Sequence, residues 1–211
     1  MKVPLLDLKA QLKTIEADMK KSVLEVLDST QYVMGAKVKE LEEAVAVYTG
    51  AKFAVGVSSG TDALLIALMA LDIQPGDFVI TSPYSFFATA GVIARLCARP
   101  VFVDIDPDTY NISPLALKAW FASNKADAAK VKAIIPVHLY GQCADMDAIL
   151  ETADERGIPV IEYAAQAIGS RYPSKFGVKK AGAMGAAGCF SFFPSKNLGG
   201  IGDGGIATVN D

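Results

Sequence analysis

The chain has 211 residues, of which 52% are hydrophobic and 20% charged, so it can bury a sizeable core and is not intrinsically disordered. Its formal net charge of −3, without any Lys/Arg-rich run, argues against a nucleic-acid partner. No stretch reaches the roughly 18–20 apolar residues of a membrane span, and the N-terminus lacks the apolar core of a signal peptide, so we expect no membrane partner.

Two helical patterns rich in Glu and Lys, at residues 12–28 and 37–48, come first along the chain. We assign residues 1–50 to an N-terminal helical segment that packs on the main domain or on a partner. Residues 51–211 form the large domain, in which apolar runs alternate with helical patterns. Its predicted strands are residues 52–57, 78–82, 100–104, 131–137, 158–162, 187–193 and 205–209. Its predicted helices are residues 61–71, 85–96, 114–123 and 145–156.

Strands separated by helices of this length predict an α/β fold with a mostly parallel, mixed sheet flanked by helices. Ligands bind at the carboxyl ends of the strands in such sheets, so candidate residues should follow strands. The sequence stops at Asn210 and Asp211, directly after a predicted strand. We expect from this that the large domain is truncated or that a smaller C-terminal domain is missing.

The cysteines and the histidine give no sign of a metal site. Cys97, Cys143 and Cys189 are scattered and form no CxxC pair, so we expect reduced thiols in a cytoplasmic protein. His138 is the only histidine, and a histidine-based metal site or a Ser-His-Asp triad would rest on it alone. We predict no metal and interpret His138 as a structural residue near the pocket.

Two segments that follow predicted strands have residues suited to a ligand. Ser-Ser-Gly-Thr-Asp at 58–62 precedes a helix, whose first free N–H groups and positive dipole end would hold a phosphate. Alternatively, Ser59 or Thr61 only caps that helix. In Thr-Ser-Pro-Tyr-Ser-Phe-Phe at 81–87, an aromatic ring could stack on a flat heteroaromatic ligand, or it could pack in the core.

The most informative segment is Ser-Phe-Phe-Pro-Ser-Lys-Asn-Leu-Gly-Gly at 191–200, followed by Gly-Asp-Gly-Gly at 202–205. Here a lysine follows a strand and a proline, and the glycines allow the chain to wrap closely around a ligand. A partly desolvated lysine can lose its proton and form a Schiff base. The alternative is a solvated surface lysine before a flexible loop.

This segment resembles the cofactor-lysine motif of the DegT/DnrJ-type sugar aminotransferases, which are fold-type I enzymes dependent on pyridoxal phosphate (PLP). Other segments match the family in the same order: Val-Pro-Leu-Leu-Asp-Leu at 3–8, Gly-Thr-Asp-Ala-Leu at 60–64, Pro-Val-Phe-Val-Asp-Ile-Asp at 100–106, His-Leu-Tyr-Gly-Gln at 138–142 and Glu-Tyr-Ala-Ala-Gln at 162–166. The resemblance runs from residue 3 to residue 211.

The resemblance implies a role for several residues. Lys196 would hold PLP covalently and move a proton between two carbons. The amides of Gly60 and Thr61, with the Ser191 hydroxyl, would bind the cofactor phosphate. Phe86 would stack on the pyridine ring, and Gln166 would contact its phenolic oxygen. The resemblance also implies glutamate as amino donor, a nucleotide-diphosphate keto sugar as acceptor, and a homodimer.

One residue departs from the family pattern, which reads Glu-Asp-Ala-Ala-Gln where this chain has Tyr163 as its second residue. In the family that aspartate keeps the pyridine nitrogen protonated, so that the ring can accept an electron pair. The phenol of Tyr163 is neutral at pH 7 and larger than a carboxylate. Glu162 is a poor substitute, because adjacent strand residues point to opposite faces. We therefore predict that transamination is severely impaired.

Three functions remain open at this point. The first is a sugar aminotransferase serving polysaccharide or glycoside biosynthesis. The second is another PLP reaction such as sugar dehydration, but Lys196 argues against it because the dehydrating relatives have histidine in that place. The third is a non-catalytic or regulatory paralogue that keeps the fold, which Tyr163 supports.

Overall fold

The computed structural model describes residues 3–4 and 6–211, and within them the chain forms an α/β domain. Residues 1, 2 and 5, which belong to the predicted N-terminal segment, lie outside the described residues. The helices are α1 Leu8–Ser29, α2 Ala36–Thr49, α3 Gly60–Ala70, α4 Ala88–Arg95, α5 Pro114–Ser123, α6 Lys125–Ala128 and α7 Met146–Asp154. The strands are β1 Phe53–Val57, β2 Phe78–Thr81, β3 Arg99–Phe102, β4 Val131–Ile135, β5 Ile161–Tyr163, β6 Arg171–Ser174, β7 Gly177–Lys180, β8 Ala187–Ser191 and β9 Gly205–Val209.

The central sheet is mixed, as the sequence predicts. A four-stranded part has the order β1-β9-β8-β5, and a three-stranded part has the order β3-β2-β4. Two isolated parallel bridges between the β4 and β5 regions, Ile134 to Val160 and Val137 to Tyr163, join the two parts. β9 runs antiparallel to β1 and β8, whereas the other neighbours in this sheet are parallel. β6 and β7 form a separate antiparallel hairpin.

Helices cover both faces of the sheet, which confirms the predicted layers. On one face α3 and α4 bury Leu64 and Ile93 against strand residues that include Ile135 and Tyr163. On the other face α5 and α7 bury side chains such as Leu117 and Met146 against Ile134. Since consecutive strand residues alternate between the faces, this arrangement fixes which β5 side chains reach each layer.

The N-terminal helices differ in how they pack. α2 lies on β1 and buries Val45 and Ala46, and the Glu42 carboxylate accepts a hydrogen bond from the Gly56 amide at 2.7 Å. α1 is capped by Asp7, whose carboxylate accepts from the Ala10 amide at 2.9 Å, but it has no buried residue. A groove of about 300 Å³ separates its apolar residues, among them Leu12, from the loop at residues 199–201.

The predicted bounds of α5 and β9 are the observed ones. α1 begins at Leu8 rather than at residue 12, and β5 is Ile161–Tyr163 rather than residues 158–162. The start of α4 also differs from the prediction. That helix begins at Ala88 rather than at residue 85, because residues 82–87 form an irregular connection. The sequence analysis did not predict α6 or the β6–β7 hairpin. The hairpin strands are short and largely solvent-exposed, so they lack the apolar runs that mark buried strands.

Residues 3–4 and 6–211 contain neither a candidate membrane-spanning helix nor a candidate cluster of metal ligands. None of the helices in these ranges is long and apolar enough to cross a membrane. The same ranges contain no group of three or more His, Cys, Asp or Glu side chains that could hold a metal ion.

Candidate functional site

The start of α3 offers two free backbone donors. Ser59 caps the helix, since its hydroxyl accepts a hydrogen bond from the Asp62 amide at 3.0 Å. Within the described part of the chain, no acceptor contacts the amides of Gly60 and Thr61. Both N–H groups lie at the positive end of the helix dipole, so this turn can bind an anion while Ser59 serves as the cap.

Ser191, at the end of β8, packs directly against this helix start. A Cβ atom on Gly60 would lie 2.6 Å from the Ser191 Cβ atom and 3.2 Å from its hydroxyl oxygen. Similarly, a Cβ atom on Gly205, the first residue of β9, would lie 2.4 Å from the Ser59 carbonyl carbon. Only glycine fits at these two places. The two glycines therefore bring the Ser191 hydroxyl to the free amides.

Lys196 lies in the turn that follows β8. Two backbone hydrogen bonds close this turn, from the Lys196 amide to the Phe193 carbonyl at 2.8 Å and from the Gly200 amide to the Phe192 carbonyl at 2.7 Å. The side chain is half-buried, and no carboxylate among residues 3–4 and 6–211 pairs with its ammonium group. Desolvation lowers the pKa of Lys196 below its usual value. A lower pKa increases the fraction of neutral, nucleophilic amine.

A narrow cleft brings together the other predicted site residues, Phe86, Tyr163 and Gln166, next to Val137 and Ala165. Phe86 is exposed rather than packed in the core, so its ring is available to a ligand. The free volume of the cleft is about 10 Å³, far below the roughly 300–1,000 Å³ of a small-molecule pocket.

The orientation of Gln166 follows from its hydrogen bond. Its side-chain oxygen Oε1 accepts from the Tyr140 amide at 2.7 Å. Because a backbone N–H can only donate, the oxygen must face Tyr140, and the NH₂ group remains free to donate. Gln166 can therefore donate a hydrogen bond to an anionic oxygen in the cleft.

Tyr163 is buried on the same sheet face as α3 and α4. It lies opposite Cys189 in β8, two residues before Ser191, and so reaches the same edge of the sheet as the helix start. Burial, with a smaller contribution from the Cys189 side chain, raises the pKa of Tyr163 to about 12. The side chain is therefore a neutral phenol at physiological pH and supplies no negative charge.

Glu162 points to the opposite face, as the alternation of strand residues predicts. Its fully buried carboxylate accepts hydrogen bonds from backbone amides of the turn after β7, at 2.8, 2.6 and 2.7 Å: Gly182, Met184 and Gly185. It also contacts Nε2 of His138 at 2.9 Å. The Ala144 amide donates to Nδ1 of His138 at 3.1 Å, so Nε2 carries the proton and donates to Glu162. His138 is thus fully buried and held between Glu162 and Ala144, where it lines the cleft.

Three tyrosines that the sequence analysis did not single out lie next to these residues: Tyr84, Tyr110 and Tyr140. Tyr84 lies two residues before Phe86, and Tyr140 belongs to the His-Leu-Tyr-Gly-Gln segment. Their positions in those two segments were the available signal, whereas nothing local in the sequence marks Tyr110.

Comparison with known proteins gives a consistent result. The chain is 49% identical to the "Pleiotropic regulatory protein" of Geobacillus stearothermophilus, over 100% of this chain and 54% of that protein. It is 46% identical to the UDP-2-acetamido-2-deoxy-3-oxo-D-glucuronate aminotransferase of Pseudomonas aeruginosa, over 99% of this chain and 55% of that protein. The chain spans about half the length of the curated relatives that it matches.

A solved structure agrees with these relatives. The crystal structure of S. venezuelae DesV in complex with a ketimine intermediate superposes with a TM-score of 0.91 at 40% identity, over 100% of this chain and 54% of that chain. Residues 13–211 match the family described as DegT/DnrJ/EryC1/StrS aminotransferases. Since this match covers nearly the whole sequence, the chain belongs to the DegT/DnrJ/EryC1/StrS aminotransferase family.

Proposed function

We propose that this protein transfers an amino group from glutamate to a nucleotide-linked keto sugar, for polysaccharide or glycoside biosynthesis. The observation that carries the proposal is the convergence of the free amides of Gly60 and Thr61 with the Ser191 hydroxyl, at the end of the strand that leads to Lys196. The name of the P. aeruginosa relative supports a sugar nucleotide as the acceptor.

The family uses pyridoxal phosphate, and most of the site fits that cofactor. We assign the phosphate to Gly60, Thr61 and Ser191, because two free amides at a helix start form an anion site. Phe86 and Gln166 would orient the ring, one by stacking and the other by donating a hydrogen bond from its free NH₂ group. When bound, PLP supplies an electron sink for the substrate carbon.

Lys196 is the residue that we assign to the chemistry. Its half-buried amine has a lowered pKa and no carboxylate partner among the described residues, which favours the neutral form. A neutral amine would hold the cofactor through its aldehyde group with loss of water, and once free again it would take a proton from one carbon and return it to another.

Tyr163 is the residue that does not fit. A ring nitrogen stays protonated beside a carboxylate, but the neutral phenol of Tyr163 gives no such charge. Its phenol is also larger than a carboxylate and lines the same cleft as Phe86 and Gln166. We therefore propose that transamination is severely impaired in this chain, even where the covalent bond to Lys196 forms.

Tyr163 also supports a second candidate, a non-catalytic or regulatory paralogue that keeps the fold and the cofactor site. The name of the relative from G. stearothermophilus is in line with this candidate. Turnover of a nucleotide-linked keto sugar separates the two, because only the aminotransferase consumes it.

We further propose a homodimer in the cytoplasm. α1 has no buried residue and exposes apolar side chains, including Leu12, Leu24 and Leu27, which a second subunit could cover. The scattered cysteines Cys97, Cys143 and Cys189, which form no CxxC pair, support a reducing compartment.

The test of the cofactor site is a reduction trap. The purified protein is mixed with PLP, reduced with borohydride and digested, and the added mass is located by peptide mapping. We expect a pyridoxyl group on Lys196 and none in a Lys196→Ala control. A folded parent protein without an adduct at Lys196 would contradict the assignment, and the non-catalytic candidate would then be favoured.

A further inference from the structure

A cluster of three solvent-exposed tyrosines lies at the carboxyl edge of the sheet, where the backbone amide of one of them, Tyr140, contacts the cleft residue Gln166. The hydroxyl groups of Tyr84 and Tyr140 are 3.1 Å apart, and the rings of Tyr84 and Tyr110 have centroids 5.7 Å apart at an angle of 35°. The exposed fractions are 45% for Tyr84, 46% for Tyr110 and 70% for Tyr140. The three residues, here called the tyrosine cluster, follow β2, β3 and β4 respectively, so this edge brings together rings from distant segments.

Two members of the cluster have an unusual backbone. Tyr110 has φ of 60° and Tyr140 has φ of 55°, both in the left-handed region that bulky residues rarely adopt. Such strain persists only where the surrounding structure enforces it, and it concentrates at functional sites. An exposed ring on a strained backbone does not contribute to the core, so its position needs another explanation.

The buried side chain of Asn111 holds the two strained turns together. Its oxygen accepts a hydrogen bond from the Leu139 amide at 2.9 Å, and its NH₂ group donates to the Gln142 carbonyl at 3.1 Å. These two groups flank Tyr140 on either side, while Tyr110 is the chain neighbour of Asn111. Because one side chain fixes both turns, the rings are presented in a preorganised arrangement.

The cluster is also joined to the proposed cofactor site. The Tyr140 amide donates to Oε1 of Gln166 at 2.7 Å, and Gln166 and Phe86 line the same cleft. The sugar carbon that receives the amino group must reach that cleft, whereas the nucleotide base lies a diphosphate away from it. A surface directly beside Gln166 is therefore where the sugar ring of the substrate would lie.

We propose that the tyrosine cluster binds the sugar ring of the nucleotide-sugar substrate. Aromatic faces pack against the C–H face of a hexose, and the paired hydroxyls of Tyr84 and Tyr140 can donate to and accept from its hydroxyl groups. The identity of this ligand rests on the proposed function. The cluster positions the sugar and recognises it, and it takes no part in bond making.

The test is calorimetric titration of the full chain, incubated with PLP, with UDP-N-acetylglucosamine and with UDP. Tyr84→Ala removes one ring, and Tyr84→Phe removes only the hydroxyl pair. Tyr140→Asn removes the exposed ring but keeps a residue that tolerates the left-handed backbone, so this variant should fold. Phe176→Ala removes an exposed ring in the β6–β7 hairpin and is the matched control.

We expect Tyr84→Ala and Tyr140→Asn to weaken binding of UDP-N-acetylglucosamine about tenfold, and Tyr84→Phe to weaken it about threefold. Binding of UDP and the behaviour of Phe176→Ala should be unchanged. The proposal would be overturned if the parent chain did not bind UDP-N-acetylglucosamine. It would also be overturned if the cluster variants lost as much affinity for UDP, or lost no more affinity for UDP-N-acetylglucosamine than Phe176→Ala does. A change in subunit association without a change in binding would assign the cluster to a protein interface instead.

The borohydride trap at Lys196, run on the same samples, separates this proposal from the proposed function. If PLP is attached to Lys196 but the cluster variants bind UDP-N-acetylglucosamine like the parent, only the proposal for the tyrosine cluster is wrong. If sugar binding depends on the tyrosine cluster but no PLP is attached to Lys196, the cluster remains a sugar site and the aminotransferase proposal is wrong.

Discussion

Gly60 and Ser191 approach so closely that a methyl group on Gly60 would lie 2.6 Å from the Ser191 Cβ atom. The contact joins the start of α3 to the end of β8, two elements that are far apart in the sequence. It depends on the absence of a side chain at one position, and it belongs to the proposed anion site on which the proposed function rests.

Gly60→Ala tests this contact. The added methyl group must push β8 and α3 apart, which we expect to lower the free energy of unfolding by about 1–3 kcal/mol and to weaken PLP binding. Urea denaturation and a PLP titration followed by absorbance measure the two effects. In Gly202→Ala the new methyl group meets nothing within 4 Å, so the free energy of unfolding should be nearly that of the parent. Equal stability of both variants would contradict the close packing.

Glu162→Gln tests the buried carboxylate on the opposite face of β5. The carboxylate accepts hydrogen bonds from His138 and from three backbone amides. An amide side chain turns one acceptor into a donor that faces other donors, so we expect a loss of about 2–4 kcal/mol in the free energy of unfolding. Chemical denaturation measures it.

Glu155→Gln is the matched control, because that carboxylate is exposed and, among residues 3–4 and 6–211, pairs only with Arg156. Its loss should be below about 1 kcal/mol. If Glu162→Gln lowered the free energy of unfolding by no more than Glu155→Gln does, the Glu162 carboxylate would not anchor the turn after β7.

The raised pKa of Tyr163 predicts a pH dependence of stability. The pKa of the Tyr163 phenol is 10.0 in the unfolded chain and is raised to about 12 in the folded chain. The neutral form is therefore favoured by folding, and its stabilising contribution is complete below pH 10 and is lost as the pH rises towards 12. Tyr163→Phe has no such group, so between pH 9 and pH 11 the parent should lose about 1 kcal/mol more stability than the variant. Parallel pH profiles would contradict the burial of Tyr163.

Much of this architecture could be predicted from the sequence, because the signals for strands and helices are local. The bounds of α5 and β9 could be read directly, since proline marks the start of one and glycine the start of the other. The alternation of strand residues was enough to separate Glu162 from Tyr163. Family motifs indicated the candidate site residues, and these candidates lie at one edge of the sheet in the structure.

Other features depend on contacts between distant segments and have no local signature. The Asn111 side chain joins the turns that carry Tyr110 and Tyr140, and only the folded chain reveals that connection. The left-handed backbone of the two tyrosines is similarly imposed from outside, because tyrosine has no preference for it. The narrowness of the cleft beside Tyr163 also follows from packing rather than from any motif.

We propose that this chain has an aminotransferase site which Tyr163 impairs, and Tyr163→Asp tests this proposal most directly. The parent, Tyr163→Asp and Tyr163→Phe are loaded with PLP to equal extents, mixed with glutamate, and followed by stopped-flow absorbance through the first half-reaction. Restoring the carboxylate should raise the rate by orders of magnitude, Tyr163→Phe should stay near the parent, and Lys196→Ala in the aspartate background should abolish the gain. No gain in Tyr163→Asp at equal cofactor loading would contradict the account.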